Sequence, residues 1–387
     1  MYVSKSKICI WWAMILLMTA GCGGSKQSTD DIIIVDVTKS YPKKEFILQD
    51  FMDVEYIALD SSDEFVTQGQ VRAIGKDIIL VMNRINDGDI FVFDKNGKGL
   101  RKINRRGNGG EEYLYTMNIV LDEDNGEIFI VDFRKTLVYD FYGKFKRSFQ
   151  NNYSDVRNYD KENFISRYYT TDTDKDATEI PSFVITSKQD VSINKKIYIP
   201  FKKKKSVSIT RADGNAGAGP GLINSIIPYD GSWILMEPSS DTVFKYLPDN
   251  SMIPFIVRTP TVQSMNPEVF LFPGILTDRY FFMRTVKKEY DFNTDIGFPT
   301  THIVLDRQGK NLFEYTVYNS DFPTKKLLDL MKPTINDEIA FFEKYEAFEL
   351  VEAYEKGELK GKLKEIAAEL NEDSNPVIML VKHKRDK

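Results

Sequence analysis

Short hydrophobic runs alternate with polar turns along most of the chain. Three stretches show the same order of features, namely DIFVFDKNGKGLRKI at 89–103, EIFIVDFRKTLVYDFYGKFKRSF at 127–149 and THIVLDRQGKNLFEYTV at 301–317. In each, an apolar strand-like segment leads into a turn with Asp, Gly and Lys, and a second strand-like segment follows. Asn96-Gly97 is a strong hairpin signal, because both central residues of a type I′ turn need positive φ. The pattern predicts antiparallel strands joined by tight turns.

The spacing of these turns indicates a repeated unit. Asp94 and Asp140 hold the same turn position 46 residues apart, and 166 residues then separate Asp140 from Asp306. Units of about 40–50 residues with four short strands are typical of β-propeller blades. We therefore predict an all-β fold, a six-bladed β-propeller that occupies residues 45–387. Five of its blades are assigned to 54–101, 112–149, 163–211, 223–258 and 275–317.

The sixth blade is expected to combine both ends of the chain. PVIMLVKHK at 376–384 supplies one part, and the N-terminal strand at 51–59 supplies the other. Joining the first and last strands in one sheet closes the ring and removes exposed strand edges.

One segment, 337–373, breaks the strand pattern. Its apolar residues recur at helical spacing among many Glu and Lys residues, so we predict a helical insertion before the last strand. Two roles are open for it, a cap on one face of the ring and a docking site for a partner. We favour the cap, because amphipathic helices inside a domain usually pack on that domain.

The N-terminus has the features of an export signal. Lys5 and Lys7 precede an apolar run of eleven residues at 8–18. That run is shorter than the roughly 20 residues that a membrane-spanning helix needs, so it is typical of a signal peptide.

The sequence TAGC at 19–22 follows the apolar run and resembles the lipobox of bacterial lipoproteins, although that pattern prefers Leu where Thr19 stands. The resemblance implies a signal peptide at 1–21 and lipidation of Cys22. The alternative is an ordinary signal peptide that contains a cysteine. Residues 22–44 are expected to form a flexible tether and lead-in.

Composition narrows the possible chemistry. The 57 acidic and 52 basic residues give a formal net charge of −5, which does not favour a nucleic-acid partner. Cys9 and Cys22 are the only cysteines, and His302 and His383 are the only histidines. Cys/His zinc sites and cysteine nucleophiles are therefore excluded in the processed chain. We interpret the lysine run at 202–205 as a hairpin tip kept soluble by charge, with lipid headgroup contact as the alternative.

The segment 51–149 resembles the six-bladed β-propeller lipoproteins of Gram-negative gut bacteria, which are relatives of NHL-repeat propellers. In that family the first blade typically ends in a Gly-x-Gly-Pro-Gly-Glu-Tyr loop, and INRRGNGGEEYLYT at 103–116 is similar to it. Two positions depart from the pattern, since Gly110 replaces the proline and Glu111 replaces the last glycine; the matching residues are Gly107, Gly109, Glu112 and Tyr113. The resemblance implies a lipid-anchored propeller of the cell envelope, in the periplasm or at the outer-membrane surface, and no agreed activity.

The same glycine loop has a second interpretation as a phosphate-binding loop. That chemistry needs a helix that begins near Gly110 and whose N-terminal amides face the anion. Strand-like residues follow instead, so we interpret the loop as the connection between two blades. Such connections line a face of a propeller, and we predict that seven residues in and beside this one lie near a ligand: Arg105, Arg106, Glu111, Glu112, Tyr113, Asp132 and Arg134.

A metal candidate lies in TDTDKDATE at 171–179, where Asp172, Asp174 and Asp176 alternate with other residues. Carboxylates are calcium ligands, but an EF-hand loop also needs a turn glycine and a Glu at its twelfth position, where Phe183 stands. A solvated loop is the favoured interpretation. We therefore expect no cofactor, with calcium as the alternative.

Two functions are compatible with the sequence. In the first, the chain is a lipid-anchored, exported binding or scaffolding protein for a carbohydrate, peptide or protein partner, and it is a monomer. The absence of a nucleophile or metal motif motivates this hypothesis. In the alternative, the chain is a divalent-cation-dependent hydrolase or lyase with carboxylates at the mouth of the propeller channel.

Overall fold

The computed structural model describes residues 32–133, 135–150, 153–168, 179–221 and 223–384. Outside this part lie the proposed signal peptide and five of the residues singled out above, namely Cys22, Arg134, Asp172, Asp174 and Asp176. The described strands form six blade sheets and two small two-stranded sheets, which confirms the predicted six-bladed β-propeller. None of the described helices is long and apolar enough to cross a bilayer.

Four short elements precede the first blade. They are β1 (Ile33–Asp36), β2 (Lys43–Ile47), α1 (Leu48–Phe51) and β3 (Met52–Ala58). A 3₁₀ turn at Asp63–Phe65 then leads to blade 1.

Blades 1, 2 and 3 each contain four antiparallel strands in chain order. Blade 1 consists of β4 (Gln70–Ile74), β5 (Ile78–Met82), β6 (Asp89–Asp94) and β7 (Gly99–Asn104). Blade 2 consists of β8 (Asn118–Asp122), β9 (Glu127–Val131), β10 (Lys135–Asp140) and β11 (Phe145–Gln150). Blade 3 consists of β12 (Tyr153–Asn158), β13 (Asn163–Tyr168), β14 (Phe183–Ser187) and β15 (Ile193–Ile197).

The apolar content of the strands follows their position in the blade. β8 contacts both β4 and β12, so the first strand of each blade lies nearest the axis. Every residue of β5 is buried, because neighbouring blades cover both of its faces. At the outer edge, Ile103 is the one buried residue of β7.

Blades 4 and 5 carry small additional hairpins between or beside their strands. Before blade 4 lie β16 (Ile209–Thr210) and β17 (Gly217–Ala218). Blade 4 consists of β18 (Ile226–Tyr229), β19 (Ser232–Leu235), β20 (Thr242–Tyr246) and β21 (Met252–Thr259), followed by a 3₁₀ turn at Val262–Ser264. Blade 5 and its hairpins consist of β22 (Val269–Leu276), β23 (Tyr280–Lys287), β24 (Tyr290–Asp291), β25 (Ile296–Gly297), β26 (Thr300–Asp306), β27 (Asn311–Asn319) and β28 (Lys326–Leu327).

Blade 6 joins the two ends of the described chain. It contains β29 (Ile339–Tyr345), β30 (Val377–His383) and β3, in that order. β3 runs antiparallel to β30, with Met52 opposite His383 and Ala58 opposite Val377. Because β3 belongs to this blade, blade 1 begins at β4 and not at residue 54.

Two helices near the C-terminus connect β29 to β30. They are α2 (Ala347–Glu355) and α3 (Gly361–Ala367). Leu350 and Leu363 are buried in the apolar cluster between blades 5 and 6, so the helices pack on the propeller as a cap would. The helical part is shorter than the predicted 337–373, because residues 339–345 form β29 and pair with β30.

The segment between the tether and the first blade is structured, contrary to the expectation for 22–44. β1 pairs in parallel with β21 at the outer edge of blade 4, and β2 pairs in parallel with β27 at the outer edge of blade 5. Val35 is fully buried and Phe46 is 7% exposed, so apolar packing holds these strands in place. We name residues 33–51 the N-terminal strap.

An irregular segment, 328–336, takes the innermost place of blade 6. Its Leu330 carbonyl accepts the N–H of Ile275 at 3.3 Å. The side chain of Asn224 donates to the Lys332 carbonyl at 2.9 Å, and that of Arg157 donates to the Thr334 carbonyl at 3.1 Å. These partners belong to or adjoin the innermost strands of blades 5, 4 and 3, so the segment reaches across the centre of the ring. We name it the axial segment.

Candidate functional site

The glycine loop at 103–116 connects blade 1 to blade 2, and its tyrosine is a structural residue. Tyr113 is fully buried. Its hydroxyl donates to the Gly88 carbonyl at 2.6 Å and accepts the N–H of Arg105 at 3.1 Å. The prediction that Tyr113 faces a ligand is therefore corrected, because the ring and the hydroxyl are both used inside the protein.

The two glutamates of the loop anchor it to blade 2 mainly through their backbone. The hydroxyl of Tyr139 donates to the Glu111 carbonyl at 2.6 Å, and the ammonium of Lys135 donates to the Glu112 carbonyl at 2.8 Å. The Glu112 carboxylate accepts the N–H of Gly109 at 2.8 Å, so it closes the loop on itself.

The remaining candidates divide into bound and exposed groups. Asp132 is 7% exposed, and its carboxylate accepts the N–H groups of Leu114 at 2.9 Å and Phe133 at 2.7 Å. Arg105 donates from Nε to the Gly143 carbonyl at 2.8 Å. The structure thus brings most of the predicted residues together, but their hydrogen bonds serve to connect blade 1 with blade 2. The side chains of Arg106 and Glu111 are exposed, and their role in ligand binding stays a prediction.

The lysine run at 202–205 is not the tip of a hairpin, because no strand flanks it directly and two of its ammonium groups are paired. Lys204 contacts the carboxylate of Glu237 at 2.9 Å, and Lys205 contacts that of Glu268 at 2.7 Å. Glu237 is only 2% exposed, so the run neutralises a buried charge.

The two histidines lie in strands and do not form a catalytic pair. Burial lowers the pKa of His302 and of His383, although nearby carboxylates oppose the effect in both cases. His302 packs against the ring of Tyr315, with 5.5 Å between ring centres. Among the described residues, no group of three or more His, Cys, Asp and Glu side chains is placed to hold a metal ion.

A cleft of about 900 Å³ lies where blade 5 meets blade 6 and the N-terminal strap. Residues 44–46 and 50–51 of the strap form one wall. The opposite wall consists of two turns at one end of blade 5, at 277–280 and 307–308, and Lys384 closes the site next to β30. We name this site the blade 5–6 cleft.

An aromatic cluster forms the floor of the cleft. The ring of Tyr280 lies 5.2 Å from that of Phe46 and 5.6 Å from that of Phe51, in edge-to-face contact. Tyr280 is 7% exposed, and burial raises its pKa, so its hydroxyl stays neutral at physiological pH. The Arg279 guanidinium lies over this ring at 4.9 Å.

The turns of blade 5 are fixed by local hydrogen bonds that direct charged side chains outward. The Thr277 hydroxyl accepts the N–H of Tyr280 at 2.8 Å, which closes a tight turn with Asp278 and Arg279 at its exposed tip. Asp306 accepts the N–H of Gln308 at 3.2 Å and fixes the second turn in the same way.

One carboxylate beside the cleft is already neutralised. Asp306, whose side chain is 10% exposed, contacts Arg279 at 3.3 Å and Lys44 at 3.8 Å. Burial alone would raise its pKa, but the hydrogen bond and charge of Arg279 and backbone N–H groups outweigh burial and lower it. Glu45 at the rim is similarly paired with Lys325.

Four charged side chains in the cleft have no ion-pair partner among the described residues. Arg307 donates to the Asp278 backbone carbonyl at 2.6 Å, and Lys384 donates to the Gln49 carbonyl at 3.0 Å and the Asp50 carbonyl at 3.3 Å. None of Arg307, Lys384, Asp50 and Asp278 forms an ion pair within 4.0 Å with another described residue. All four are exposed, so the cleft offers two cations and two carboxylates to a ligand.

Most residues of the cleft carry no signal that the sequence alone could reveal. Asp278, Arg279 and Arg307 stand in ordinary polar turns, and the strap residues precede the first recognisable blade. A partial signal was available in the turn at 306–309, which repeats the Asp-Gly turn of other blades but adds an arginine.

Comparison with known proteins supports the fold. A family model with the description 6-bladed beta-propeller matches residues 24–340. A Bacteroides fragilis protein that is described as exported is similar in structure, with 15% identity, a TM-score of 0.58, and coverage of 89% of this chain and 99% of that chain. No curated protein matches the chain significantly.

Two further solved structures are more distant. One is a chain of the S. cerevisiae complex of Dbp5 with Nup159 and Gle1, with 9% identity, a TM-score of 0.40, and coverage of 81% of this chain and 75% of that chain. The other is a Bacteroides caccae protein of unknown function, with 10% identity, a TM-score of 0.31, and coverage of 65% and 80%.

Proposed function

Since the chain belongs to the DUF5128 family of six-bladed β-propellers, we propose that it is an exported binding protein whose ligand occupies the blade 5–6 cleft. The observation that carries the proposal is the cleft itself, with a volume of about 900 Å³. Ligand sites typically have volumes of about 300–1,000 Å³ and a few convergent polar groups. The N-terminal strap adds an extra outer strand to blades 4 and 5, beyond their own four strands. It also forms one wall of this cleft.

Two features support the cleft over other parts of the propeller. The axial segment fills the innermost place of blade 6, with backbone contacts to Asn224 and Arg157 from other blades. In the connection from blade 1 to blade 2, the side chains of Tyr113, Asp132 and Arg105 already form hydrogen bonds inside the protein. The divalent-cation-dependent hydrolase or lyase stays the alternative, and no group of three or more His, Cys, Asp and Glu side chains among the described residues supports it.

Removing the two unpaired cations should abolish most of the binding. Charged hydrogen bonds contribute about 1.5–3 kcal/mol each, so Arg307→Ala with Lys384→Ala should weaken binding by tenfold or more. The measurement is a thermal shift with a panel of defined oligosaccharides and short peptides. A ligand at about 100 times its Kd stabilises the folded state by about 2.7 kcal/mol, which raises Tm.

Arg84→Ala is the matched control, because Arg84 is an exposed arginine between β5 and β6, outside both the cleft and the predicted ligand-facing loop. A second cleft variant, Gln308→Trp, fills the space without removing a charge. Wild type and Arg84→Ala should show the same ligand-induced rise in Tm, and both cleft variants should lose it. Equal shifts in all four proteins, or no shift with any compound, would contradict the proposal.

The proposed place of action is the cell envelope, with lipid attached to Cys22. The apolar run and the lipobox-like TAGC support this proposal. Ile33, where the strap starts, is the eleventh residue after Cys22. At about 3.3–3.6 Å per residue, the strap then lies within about 40 Å of the lipid.

Cys22→Ala is expected to release the protein from the membrane or to leave its signal peptide uncleaved. The measurement is membrane fractionation with metabolic labelling by a fatty acid, and Cys9→Ala serves as the control. A Cys22→Ala protein that is processed normally, stays at the membrane and still carries the fatty-acid label would refute lipid anchoring at this residue.

A further inference from the structure

The unpaired charges of the blade 5–6 cleft are interleaved in sign. Arg307 bonds to the backbone of Asp278, and Lys384 bonds to the backbone of Asp50, at 2.6 Å and 3.3 Å. Each cation therefore lies beside a residue that bears a free carboxylate. Neither wall of the cleft presents a single sign of charge.

This arrangement disfavours ligands with strong charge. A polyanion would gain from Arg307 and Lys384 but would be repelled by Asp50 and Asp278, and a polycation would meet the reverse situation. A zwitterionic peptide needs a cationic region for its carboxylate end and a separate anionic region for its ammonium end. Because charges of opposite sign alternate in the cleft, it has no such separate regions.

A hydroxyl group suits both kinds of partner, since it donates one hydrogen bond and accepts others. Neighbouring hydroxyls of a sugar ring can donate to a carboxylate and accept from a guanidinium or ammonium at the same time. Hydrogen bonds to charged partners are stronger than neutral ones. The neutral Tyr280 hydroxyl and the Gln308 amide add further polar groups, and the half-buried Phe51 offers an apolar surface for the C–H face of a ring.

We infer that the ligand of the blade 5–6 cleft is a neutral oligosaccharide, an inference that rests on the proposed binding function. Both signs of charge in the cleft then serve as hydrogen-bond partners. Cations and carboxylates contribute to binding alike. The affinity depends little on ionic strength, because the ligand has no net charge to be screened.

Isothermal titration calorimetry with the full mature protein tests this inference. The probes are tetrasaccharides of β-1,4-linked glucose, mannose and xylose, the acidic tetragalacturonate, and trialanine. Each is titrated at about 0.02 M and about 0.5 M NaCl, a range in which the screening length falls several-fold. A neutral tetrasaccharide should bind with a Kd that changes by less than about threefold between the two salt concentrations.

Variants that remove a cation or a carboxylate from the cleft complete the test. Arg307→Ala and the nearly isosteric Asp278→Asn should each weaken binding of the neutral sugar about tenfold or more, whereas Arg84→Ala should not. Binding of tetragalacturonate or trialanine alone, lost in the cleft variants, would overturn the neutral sugar and leave the binding function intact. Binding that no cleft variant affects, or no binding of any probe, would overturn both.

Discussion

Replacing Asp122 by Ala is expected to lower the free energy of unfolding by about 3–5 kcal/mol, because it leaves a buried ammonium without its counter-charge. Lys188 Nζ lies 2.9 Å from Asp122 Oδ2, and both side chains are 2% exposed. Asp122 ends the first strand of blade 2, and Lys188 follows β14 of blade 3. The pair therefore joins two neighbouring blades inside the ring.

The double variant Asp122→Ala with Lys188→Met is the informative control. Replacing a buried ion pair by apolar groups is often close to neutral, so the double variant should recover much of the lost stability. Urea unfolding followed by fluorescence measures both proteins. A loss below about 1 kcal/mol in the single variant, or a double variant no more stable than the single one, would contradict this role.

Replacing Asn375 by Ala should also cost about 3–5 kcal/mol, since it unpairs three backbone groups where the ring closes. Asn375 is 3% exposed. Its amide donates to the carbonyls of Asp60 at 2.6 Å and Phe65 at 2.8 Å, and its oxygen accepts the N–H of Thr67 at 2.8 Å. These groups belong to the connection from blade 6 to blade 1, and each buried unpaired group costs about 1–3 kcal/mol.

The exposed Asn86 provides a matched control, and Asn86→Ala should change stability by less than about 0.5 kcal/mol. Hydrogen exchange adds a local readout, because the N–H of Thr67 loses its acceptor only in the Asn375 variant. If Asn375→Ala unfolds at the same urea concentration as Asn86→Ala, the side chain does not hold the ring closed.

The repeated turns made the blades predictable from the sequence. Asp94 and Asp140 mark corresponding turns of blades 1 and 2, where each carboxylate accepts nearby backbone N–H groups. Such local chemistry is visible in a short stretch of sequence. The helices near the C-terminus were predictable for the same reason, since their apolar spacing is local.

The N-terminal strap was not predictable in this way. Val35 lies opposite Arg258, and Phe46 lies opposite Val317, so each strand of the strap pairs with a partner more than 200 residues away. A short parallel pairing leaves no turn signal in the sequence. The polar residues between Asp36 and Lys43 resemble a tether, although the apolar ones on either side are packed.

The residues of the candidate site were even harder to predict from the sequence than the strap. Tyr113 stood out because its glycine-rich surroundings suggested a binding loop, yet its ring is buried and its hydroxyl donates to the backbone carbonyl of Gly88. The cleft instead combines Asp50, Arg307 and Lys384, which the chain brings together from its beginning, its last third and its end. Only the closing of the ring places them side by side.

A crystal structure of the protein soaked with the neutral tetrasaccharides would show directly whether the blade 5–6 cleft binds a sugar. We expect electron density for a sugar in this cleft, with hydroxyls within hydrogen-bonding distance of Arg307 and Asp278. The same soak of Gln308→Trp crystals should leave the cleft without sugar. Density for the sugar at the loop of Arg106 and Glu111, with an empty cleft, would show that the cleft is not the ligand site.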